Sequence, residues 1–180
     1  STLGITTTIR QRPTSMIKFL IRPATPEDAD QVAAIYNPYV LDTAISFEES
    51  PVEATEMAGR IRRVLEAGLP WLVAEHGGRI LGYAYATRWR ERHAYRFSVE
   101  CTVYVASGMA RSGVGSALYS AMFPLLRQAG YHAVVAVIAL PNAASVALHE
   151  RFGLKKVAHY PEIGFKFERW HDVGNWQALL

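Results

Sequence analysis

The sequence contains a single cysteine, Cys101, among its 180 residues. One cysteine excludes an intramolecular disulfide and leaves too few thiolates for a zinc finger. The six histidines show no i, i+4 pair of the kind that holds a metal on one helix face. No apolar run approaches the ~20 residues that a membrane-spanning helix needs. We therefore expect no metal site and no membrane span, and a cytoplasmic protein.

Charge of one sign is also scarce. The formal net charge is only +3, and the arginines are scattered instead of forming a basic block. Without a concentrated positive surface, nucleic acid is not expected as a partner. Half of the residues are hydrophobic, which at this length is enough for one globular α/β domain with a proper core.

The first fifteen residues differ from the rest of the chain. They are rich in Thr, Ser and Arg, have no apolar period, and lack the hydrophobic segment of a secretory signal. We interpret residues 1–15 as a leader or vector-derived segment, followed by one domain over 16–180 with Met16 as the natural start.

Hydrophobic periodicity and the turn residues predict an order of β-α-α-β-β-β-α-β-α-β. Thr25 and Pro26 mark the start of the first helix, which is expected to end at Pro38. The other helices are predicted at 51–67, 113–129 and 142–151. Strands are predicted at 19–21, 71–75, 80–86, 98–106 and 132–140, and within 158–180.

A glycine-rich turn joins the strand predicted at 98–106 to the helix predicted at 113–129, which has the clearest apolar stripe. The segment 110–115 reads Ala-Arg-Ser-Gly-Val-Gly. The free N–H groups and partial positive charge of a helix start can hold a phosphate, and glycine lets the backbone approach it closely. The turn lacks the lysine of a nucleoside-triphosphate loop. On this motif alone, a tight turn without a ligand is equally consistent.

Together with this turn, residues 99–105 (Val-Glu-Cys-Thr-Val-Tyr-Val) and Leu118-Tyr119 resemble the central motif of the GNAT acetyltransferases. Two further stretches resemble, more narrowly, the phosphinothricin and methionine sulfoximine N-acetyltransferases. They are 134–142, with Ser145 and 148–150 after it, and 170–177. The resemblance runs from Ile21 to the C-terminus.

The resemblance implies an α/β (α+β) fold, with a mixed, mostly antiparallel sheet whose central strands splay apart around acetyl-CoA. Backbone groups of the strand end and the turn are expected to bind this co-substrate, and one side chain on the next helix to contact pantetheine. The expected cofactor-binding residues are Val103, Tyr104, Val105, Arg111, Ser112, Gly113, Val114, Gly115 and Asn142. The family usually has Gln or Arg where Ala110 stands, which implies a small loss of phosphate contact.

Two residues are predicted to move protons. Glu100 lies in an apolar strand, where burial raises a carboxyl pKa toward the working pH of a general base. The alternative is a structural carboxylate paired with Arg92 or Arg96. His149 stands where the resemblance places the acid that protonates the CoA thiolate. The alternative is a surface histidine, with Tyr104 or Tyr119 as the proton donor.

The acceptor side is predicted from the same resemblance. Arginine pairs a carboxylate through two parallel hydrogen bonds, which suits Arg90 or Arg92 as the anchor of an amino acid, although such charged runs are usually solvated loop ends. The predicted substrate-binding residues are Phe47, Arg90, Glu91, Arg92, Glu100, Cys101 and Thr102. Cys101 is expected to be a buried thiol and not a nucleophile, because alternation places it opposite Glu100.

The resulting hypothesis is an N-acetyltransferase that acetylates the α-amino group of a small amino-acid-like acceptor by direct transfer in a ternary complex. The expected acceptors are of the phosphinothricin, methionine sulfoximine or methionine sulfone type. A protein or peptide N-terminal acetyltransferase and a non-catalytic acetyl-CoA-binding module are the alternatives. The resemblance also implies a homodimer.

Overall fold

The computed structural model describes residues 18–180. The predicted segment 1–15 and Met16 lie outside the described residues. Four helices and seven strands make up the part of the chain from 18 onward. The helices are α1 (Ala29–Asp42), α2 (Ala54–Glu66), α3 (Val114–Gln128) and α4 (Ala143–Arg151). The strands are β1 (Leu20–Pro23), β2 (Trp71–His76), β3 (Arg79–Arg88), β4 (Ser98–Val105), β5 (Ala133–Ala139), β6 (Lys155–Lys166) and β7 (Arg169–Leu179).

The strands form a single sheet in the order β1-β2-β3-β4-β5-β7-β6. Neighbouring strands are antiparallel except for the central pair β4 and β5, which run parallel. The predicted mixed, mostly antiparallel α/β sheet is therefore confirmed. The chain segment between β4 and β5 carries α3, as a parallel crossover requires.

Helix α1 differs from its predicted extent at both ends. Its first turn is a 3-10 turn over Pro26–Asp28, in which the Asp28 carboxylate accepts the N–H of Thr25 at 2.8 Å. The helix then continues through Pro38 to Asp42, so the prediction that it ends at Pro38 is wrong. Tyr36 and Val40 are buried on either side of the proline, and this packing outweighs the missing N–H.

The helices pack on both faces of the sheet. Tyr36 of α1 packs its ring edge-on against Tyr104 of β4, with 5.2 Å between ring centroids. Val114 of α3 packs instead against Gly82 of β3, on the opposite face. Since successive side chains of a strand alternate between faces, β4 directs Glu100, Thr102 and Tyr104 toward α1 and α2. Val99, Cys101, Val103 and Val105 face α3.

The terminal hairpin of β6 and β7 exposes large apolar side chains. Trp170 is 60% exposed and Phe165 is 56% exposed, and their rings pack together at 4.8 Å between centroids. Ile163 and Phe167 are also more than half exposed. An apolar surface of this kind is typical of a contact with another protein. The homodimer stays a prediction.

Gly82 marks the closest approach of α3 to the sheet. A Cβ atom at this position would lie 2.7 Å from Cγ1 of Val114 and 3.0 Å from the backbone oxygen of Tyr104. No well-packed atom pair tolerates such distances, so α3 depends on the missing side chain for its position.

We predict that Gly82→Ala lowers the free energy of unfolding by about 1–3 kcal/mol, because the added methyl group overpacks this contact. Gly59→Ala in α2 is the matched control. Its Cβ would meet only Nη1 of Arg63, at 3.3 Å, a flexible group that can move. The control should gain about 0.5–1 kcal/mol from helix propensity. Urea unfolding measures the change in the free energy of unfolding for each variant. If both substitutions stabilised the protein, or both destabilised it, the close approach at Gly82 would be contradicted.

Candidate active site

The centre of the sheet opens into a gap between β4 and β5. The two strands pair at Ser98–Ala133, Val99–Val134 and Glu100–Val135, and the register ends there. The N–H of Trp89 bonds to the oxygen of Ser98, and the N–H of Ala106 bonds to the oxygen of Leu81. Alternate residues from 98 to 106 therefore direct their backbone groups toward β3. By the same alternation, Val103 and Val105 direct theirs toward the gap.

The opposite wall of the gap is built in the same way. The N–H of Leu140 bonds to the oxygen of Asp172 in β7, and the alternation along β5 turns the backbone groups of Val137 and Ala139 toward β4. A cleft of about 830 Å³ fills the space between the strands and continues past the starts of α3 and α4. All nine predicted cofactor-binding residues except Ser112 line this cleft.

The start of α3 is an anion-binding arrangement. Gly113 has φ of +86°, a left-handed conformation that favours glycine, and its oxygen accepts the first helical bond from Ala117 at 3.0 Å. The N–H groups of the first turn therefore lack helical partners. The first turn holds no acidic residue. Together with the helix dipole, these groups attract negative charge.

Two further side chains lie at this end of the cleft. Arg111 lies in the turn with φ of +60°, and Arg151, at the end of α4, donates a hydrogen bond to Oγ of Ser116 at 3.3 Å. Arg151 was not among the residues predicted from the sequence. Its signal, a basic residue in the last turn of the helix after Asn142, is common to many helices and indicates no ligand by itself.

Asn142 caps α4 by accepting the N–H of Ser145 on its side-chain oxygen at 3.2 Å. This bond orients the side chain at the cleft wall and leaves its amide NH₂ group available as a donor. The resemblance assigned Asn142 to the pantetheine arm. The cap is an additional role.

His149 is 3% exposed and lies in the cleft wall. Its Nδ1 lies 2.7 Å from the backbone oxygen of Ser145, which can only accept, so Nδ1 carries the proton. Burial lowers the pKa of His149, while this bond opposes the shift. In the neutral ring Nε2 then accepts the hydroxyl of Tyr119 at 2.9 Å. The interpretation as a surface histidine is wrong, because the ring is buried and bonded at both nitrogens.

Cys101 lies on the same side of the sheet, where it is 3% exposed. Burial raises the pKa of its thiol to about 12, so the thiol stays protonated at neutral pH. A protonated, buried thiol is a poor nucleophile, which agrees with the structural role expected for it.

Glu100 faces the opposite side of the sheet, where it is half-buried. Burial raises the pKa of its carboxyl above the usual range, and the charge of Arg90 opposes the shift. Within residues 18–180 no ion pair reaches Glu100 within 4.0 Å, so the alternative pairing with Arg92 or Arg96 is not observed there. The carboxylate is available to act as a base.

The wall beside Glu100 is aromatic and charged, and the sequence analysis missed most of it. Glu48 accepts a bidentate pair of hydrogen bonds from Arg60, at 2.6 and 2.9 Å, and bonds to the hydroxyl of Tyr36. Arg60 holds the pKa of Glu48 below its usual range, so this carboxyl is ionised. Tyr85 stacks on Trp71 with 4.2 Å between centroids, in the wall of a second cavity of about 350 Å³.

The other predicted acceptor residues differ in position. Arg90, Glu91 and Arg92 are exposed in the loop between β3 and β4, and the Arg90 guanidinium lies 3.9 Å from the ring centroid of Trp89. Of these, Arg90 is the one whose charge acts on Glu100. Phe47 is 41% exposed and packs beside His171 and Gly164, on the terminal hairpin. Thr102 lies two residues after Glu100 in β4, so its side chain is on the same face of the sheet.

Residues 18–180 contain no group of three His, Cys, Asp or Glu side chains placed to hold a metal ion. In the same range, no helix is both long and apolar enough to cross a membrane.

Residues 21–174 match the acetyltransferase (GNAT) domain family. This chain is a GNAT acetyltransferase. It is 42% identical to a phosphinothricin N-acetyltransferase of Streptomyces viridochromogenes over 157 residues, which covers 87% of this chain and 85% of the relative. It is 36% identical to an L-methionine sulfoximine/L-methionine sulfone acetyltransferase of Pseudomonas aeruginosa, which covers 89% of this chain and 94% of the relative.

A solved structure shows the same fold. The GNAT superfamily phosphinothricin acetyltransferase of Sinorhizobium meliloti in complex with acetyl-CoA superposes with a TM-score of 0.86 at 34% identity. The match covers 90% of this chain and 88% of that chain. The family expected from the sequence is therefore confirmed for this acetyltransferase.

We predict that Glu100→Gln stabilises the acetyltransferase at pH 8. A carboxyl whose pKa is raised on folding binds its proton more tightly in the folded state, so its contribution to stability is lost as pH rises through the folded pKa. The glutamine variant avoids this loss. Its Tm should exceed that of the wild type at pH 8, and the difference should vanish near about pH 3, below the usual glutamate pKa.

The exposed Glu91→Gln serves as the control and should leave Tm unchanged at both pH values. A Tm difference for Glu100→Gln that is the same at pH 3 and pH 8 would show that burial of the charge is not its cause.

Proposed function

We propose that this acetyltransferase transfers the acetyl group of acetyl-CoA to the α-amino group of a small amino-acid-like acceptor, by direct transfer in a ternary complex. The observation that carries the proposal is the divergence of β4 and β5 just beyond Glu100. It opens a cleft whose two walls carry backbone groups without a strand partner, next to a poorly solvated carboxylate.

The residues of the cleft fit acetyl-CoA. The backbone groups of Val103 and the N–H of Val105 on one wall, and the backbone groups of Val137 on the other, match the amide groups of pantetheine. The Val105 oxygen already accepts the Tyr39 hydroxyl at 2.6 Å. The start of α3 matches the pyrophosphate, with Arg111 and Arg151 at the same end. When bound, acetyl-CoA supplies the acetyl thioester. The N–H of Val103 is placed to stabilise negative charge on the carbonyl oxygen during attack.

Glu100 is proposed as the general base. An amino acid arrives as an ammonium ion, and its nitrogen must lose a proton before it can attack the thioester. A carboxylate with a raised pKa can accept that proton near neutral pH. Arg90, whose charge acts on Glu100, is proposed to pair with the acceptor carboxylate. In an α-amino acid one carbon separates the two groups, so a base and a cation close together fit both.

His149 and Tyr119 are proposed to supply a proton to the departing thiolate. In the neutral ring the Nδ1 proton is held by Ser145, while Nε2 accepts from Tyr119. The imidazole can give a proton to the thiolate only when the ring is protonated at both nitrogens, and loss of that proton returns the neutral ring bonded to Ser145 and Tyr119. Burial lowers the pKa of His149 and so limits this protonated form. Because a free thiol has a pKa near 8.5, the thiolate also leaves unprotonated, and this pair should matter less than Glu100.

The names of the relatives support the acceptor class. Both curated relatives described above are named for acceptors of the phosphinothricin or methionine sulfoximine type. These compounds share an α-amino group and an α-carboxylate with a short polar side chain, which suits a site where a carboxylate, an arginine and an aromatic wall lie together.

We predict that Ser112→Asp raises the KM for acetyl-CoA about tenfold, because it adds a negative charge in the turn next to the start of α3, the proposed pyrophosphate site, although Ser112 itself lies outside the cleft lining. Ser112→Asn has nearly the same size without the charge and is the matched control. An acidic residue near a helix start favours folding, so a loss of stability would not explain weaker binding. Calorimetry should show that the aspartate variant binds CoA more weakly than the asparagine variant. The difference between their Kd values should become smaller at high salt, which screens the charge. Equal Kd values for the two variants would place the pyrophosphate elsewhere.

The acceptor is tested by thiol release with phosphinothricin, methionine sulfoximine, methionine sulfone, ordinary amino acids and short peptides. We expect the amino-acid-like acceptors to give the highest kcat/KM, and their N-acetylated forms to give none. Double-reciprocal plots should intersect, as direct transfer requires. Glu100→Gln should lower kcat by about 10²-fold or more. Parallel plots would indicate an acyl-enzyme, and preferred peptides a protein acetyltransferase. No release above the rate without acceptor would indicate a non-catalytic module.

The same thiol-release assay tests whether Arg90 pairs with the acceptor carboxylate. Arg90→Ala should lower kcat/KM for carboxylate-bearing acceptors by about tenfold or more and change little for their decarboxylated analogues. Arg92→Ala, two residues further along the exposed loop, is the control and should have a small effect. Equal losses with and without the carboxylate would contradict the anchor.

A further inference from the structure

The ammonium group of Lys166 is buried in the terminal hairpin. The residue is the last of β6 and is 2% exposed. Its Nζ donates to three backbone oxygens, those of Val40 at 2.6 Å and of Ser46 and Glu48 at 2.7 Å each. An ammonium has three donors, and here each has an acceptor. Burying a charge is costly unless it is bonded in this way, so the arrangement requires a reason.

All three acceptors belong to one part of the chain. Val40 lies in the last turn of α1, where carbonyl groups lack helical partners and a positive charge is favourable. Ser46 and Glu48 lie in the following segment, between α1 and α2. We call residues 43–50 the acceptor-side loop. The Lys166 ammonium therefore binds both the end of α1 and this loop. Lys166 itself lies about 120 residues further along the sequence.

The same hairpin contacts the acceptor-side loop at a second point. A Cβ at Gly164 would lie 2.2 Å from Cε2 of Phe47, so the Phe47 ring packs directly on the backbone of β6. The ring of His171 lies 6.1 Å from that of Phe47, and its Nε2 donates to the oxygen of Lys166 at 2.9 Å. The acceptor-side loop therefore packs on the terminal hairpin.

The Phe47 ring packs on the hairpin, whereas the Glu48 carboxylate of the same loop points toward the wall beside Glu100. The backbone oxygen of Glu48 is held by Lys166, while its carboxylate bonds to Arg60 and Tyr36. A shift of the loop would therefore move Phe47 and that carboxylate together.

We propose that Lys166 is a positioning residue for the acceptor: its ammonium fixes the acceptor-side loop and so places Phe47 and Glu48 at the acceptor side of the site. The assignment of a role in acceptor binding rests on the proposed function. The coenzyme cleft is lined mainly by β4, β5, α3 and α4, and Lys166 is not among its lining residues. Ile45 is the one residue of the acceptor-side loop in that lining, so the effect on the acceptor should be much larger than the effect on acetyl-CoA.

The test replaces the ammonium with an apolar group of similar length in the full chain. Lys166→Met should raise the KM for the acceptor about tenfold or more, since small misplacements of binding groups have large effects. The KM for acetyl-CoA should stay within about twofold. Hydrogen exchange of the amides in residues 43–50 should become faster. Lys155→Met, an exposed lysine on the same strand, is the matched control and should change none of these quantities.

Gly164→Ala provides a second variant that keeps the ammonium. Its methyl group displaces Phe47, which is partly exposed and can move, so folding should be retained while the acceptor KM rises. Unchanged loop exchange in folded Lys166→Met, or equal changes in both KM values, would overturn the proposal. If the wild type acetylated no acceptor, the proposed function would fail, while the exchange data would still test the attachment of the loop.

Discussion

The architecture of the site follows from the place where β4 and β5 stop pairing. The two strands are parallel neighbours over three residue pairs and separate after Glu100 and Val135. Beyond that point each strand keeps its outer partner, β3 or β7, so the sheet remains continuous on both sides of the gap. Each open wall leaves N–H and C=O groups that require partners. The binding cleft thus exists because the two central strands do not form hydrogen bonds to each other beyond Glu100 and Val135.

Strand alternation then distributes the chemistry between the two faces of the sheet. One face carries the cleft, the start of α3, and the bonded pair Tyr119 and His149. The other face carries Glu100 with its aromatic and charged neighbours. The proposed donor and acceptor therefore approach the gap from different sides, although Tyr104, which shares the face of Glu100, and Tyr39, which packs on it, also line the cleft. This arrangement agrees with direct transfer, because neither substrate has to leave before the other binds.

Periodicity and turn chemistry predicted the elements of the fold well. The alternating β4, the glycine start of α3 and the buried run of β5 are local patterns whose meaning does not depend on distant residues. The end of α1 was predicted wrongly because Pro38 is a local signal, whereas the packing of Val40 that overrides it is tertiary. The predicted cofactor-binding residues came from a resemblance carried mostly by one strand, turn and helix that are consecutive in sequence, and eight of the nine line one cleft. Their role in binding stays a prediction.

The acceptor side was less accessible to sequence reasoning. Its wall joins Glu48, Arg60 and Tyr36 with Tyr85 and Trp71, from helices and strands that are far apart in the chain. No spacing rule links these residues. His149 shows the same limit: its place in the helix was predictable, but its bond to Tyr119 depends on how α3 and α4 meet. Lys166 gave no signal at all, because a lysine in a strand usually faces solvent.

The alternation along β4 also limits how this gene can vary. Glu100 and Cys101 are adjacent in sequence yet face opposite sides of the sheet, and the same holds for every following pair up to Val105. Insertion or deletion of one codon within the strand would reverse the two faces and exchange an ionisable carboxylate for a buried thiol. The first residues of the following turn, 106–108, which precede the proposed pyrophosphate site, tolerate a change in length far better because no alternating pattern runs through them. Length variation among functional descendants of this chain should therefore collect in the turn and be absent from the strand that precedes it.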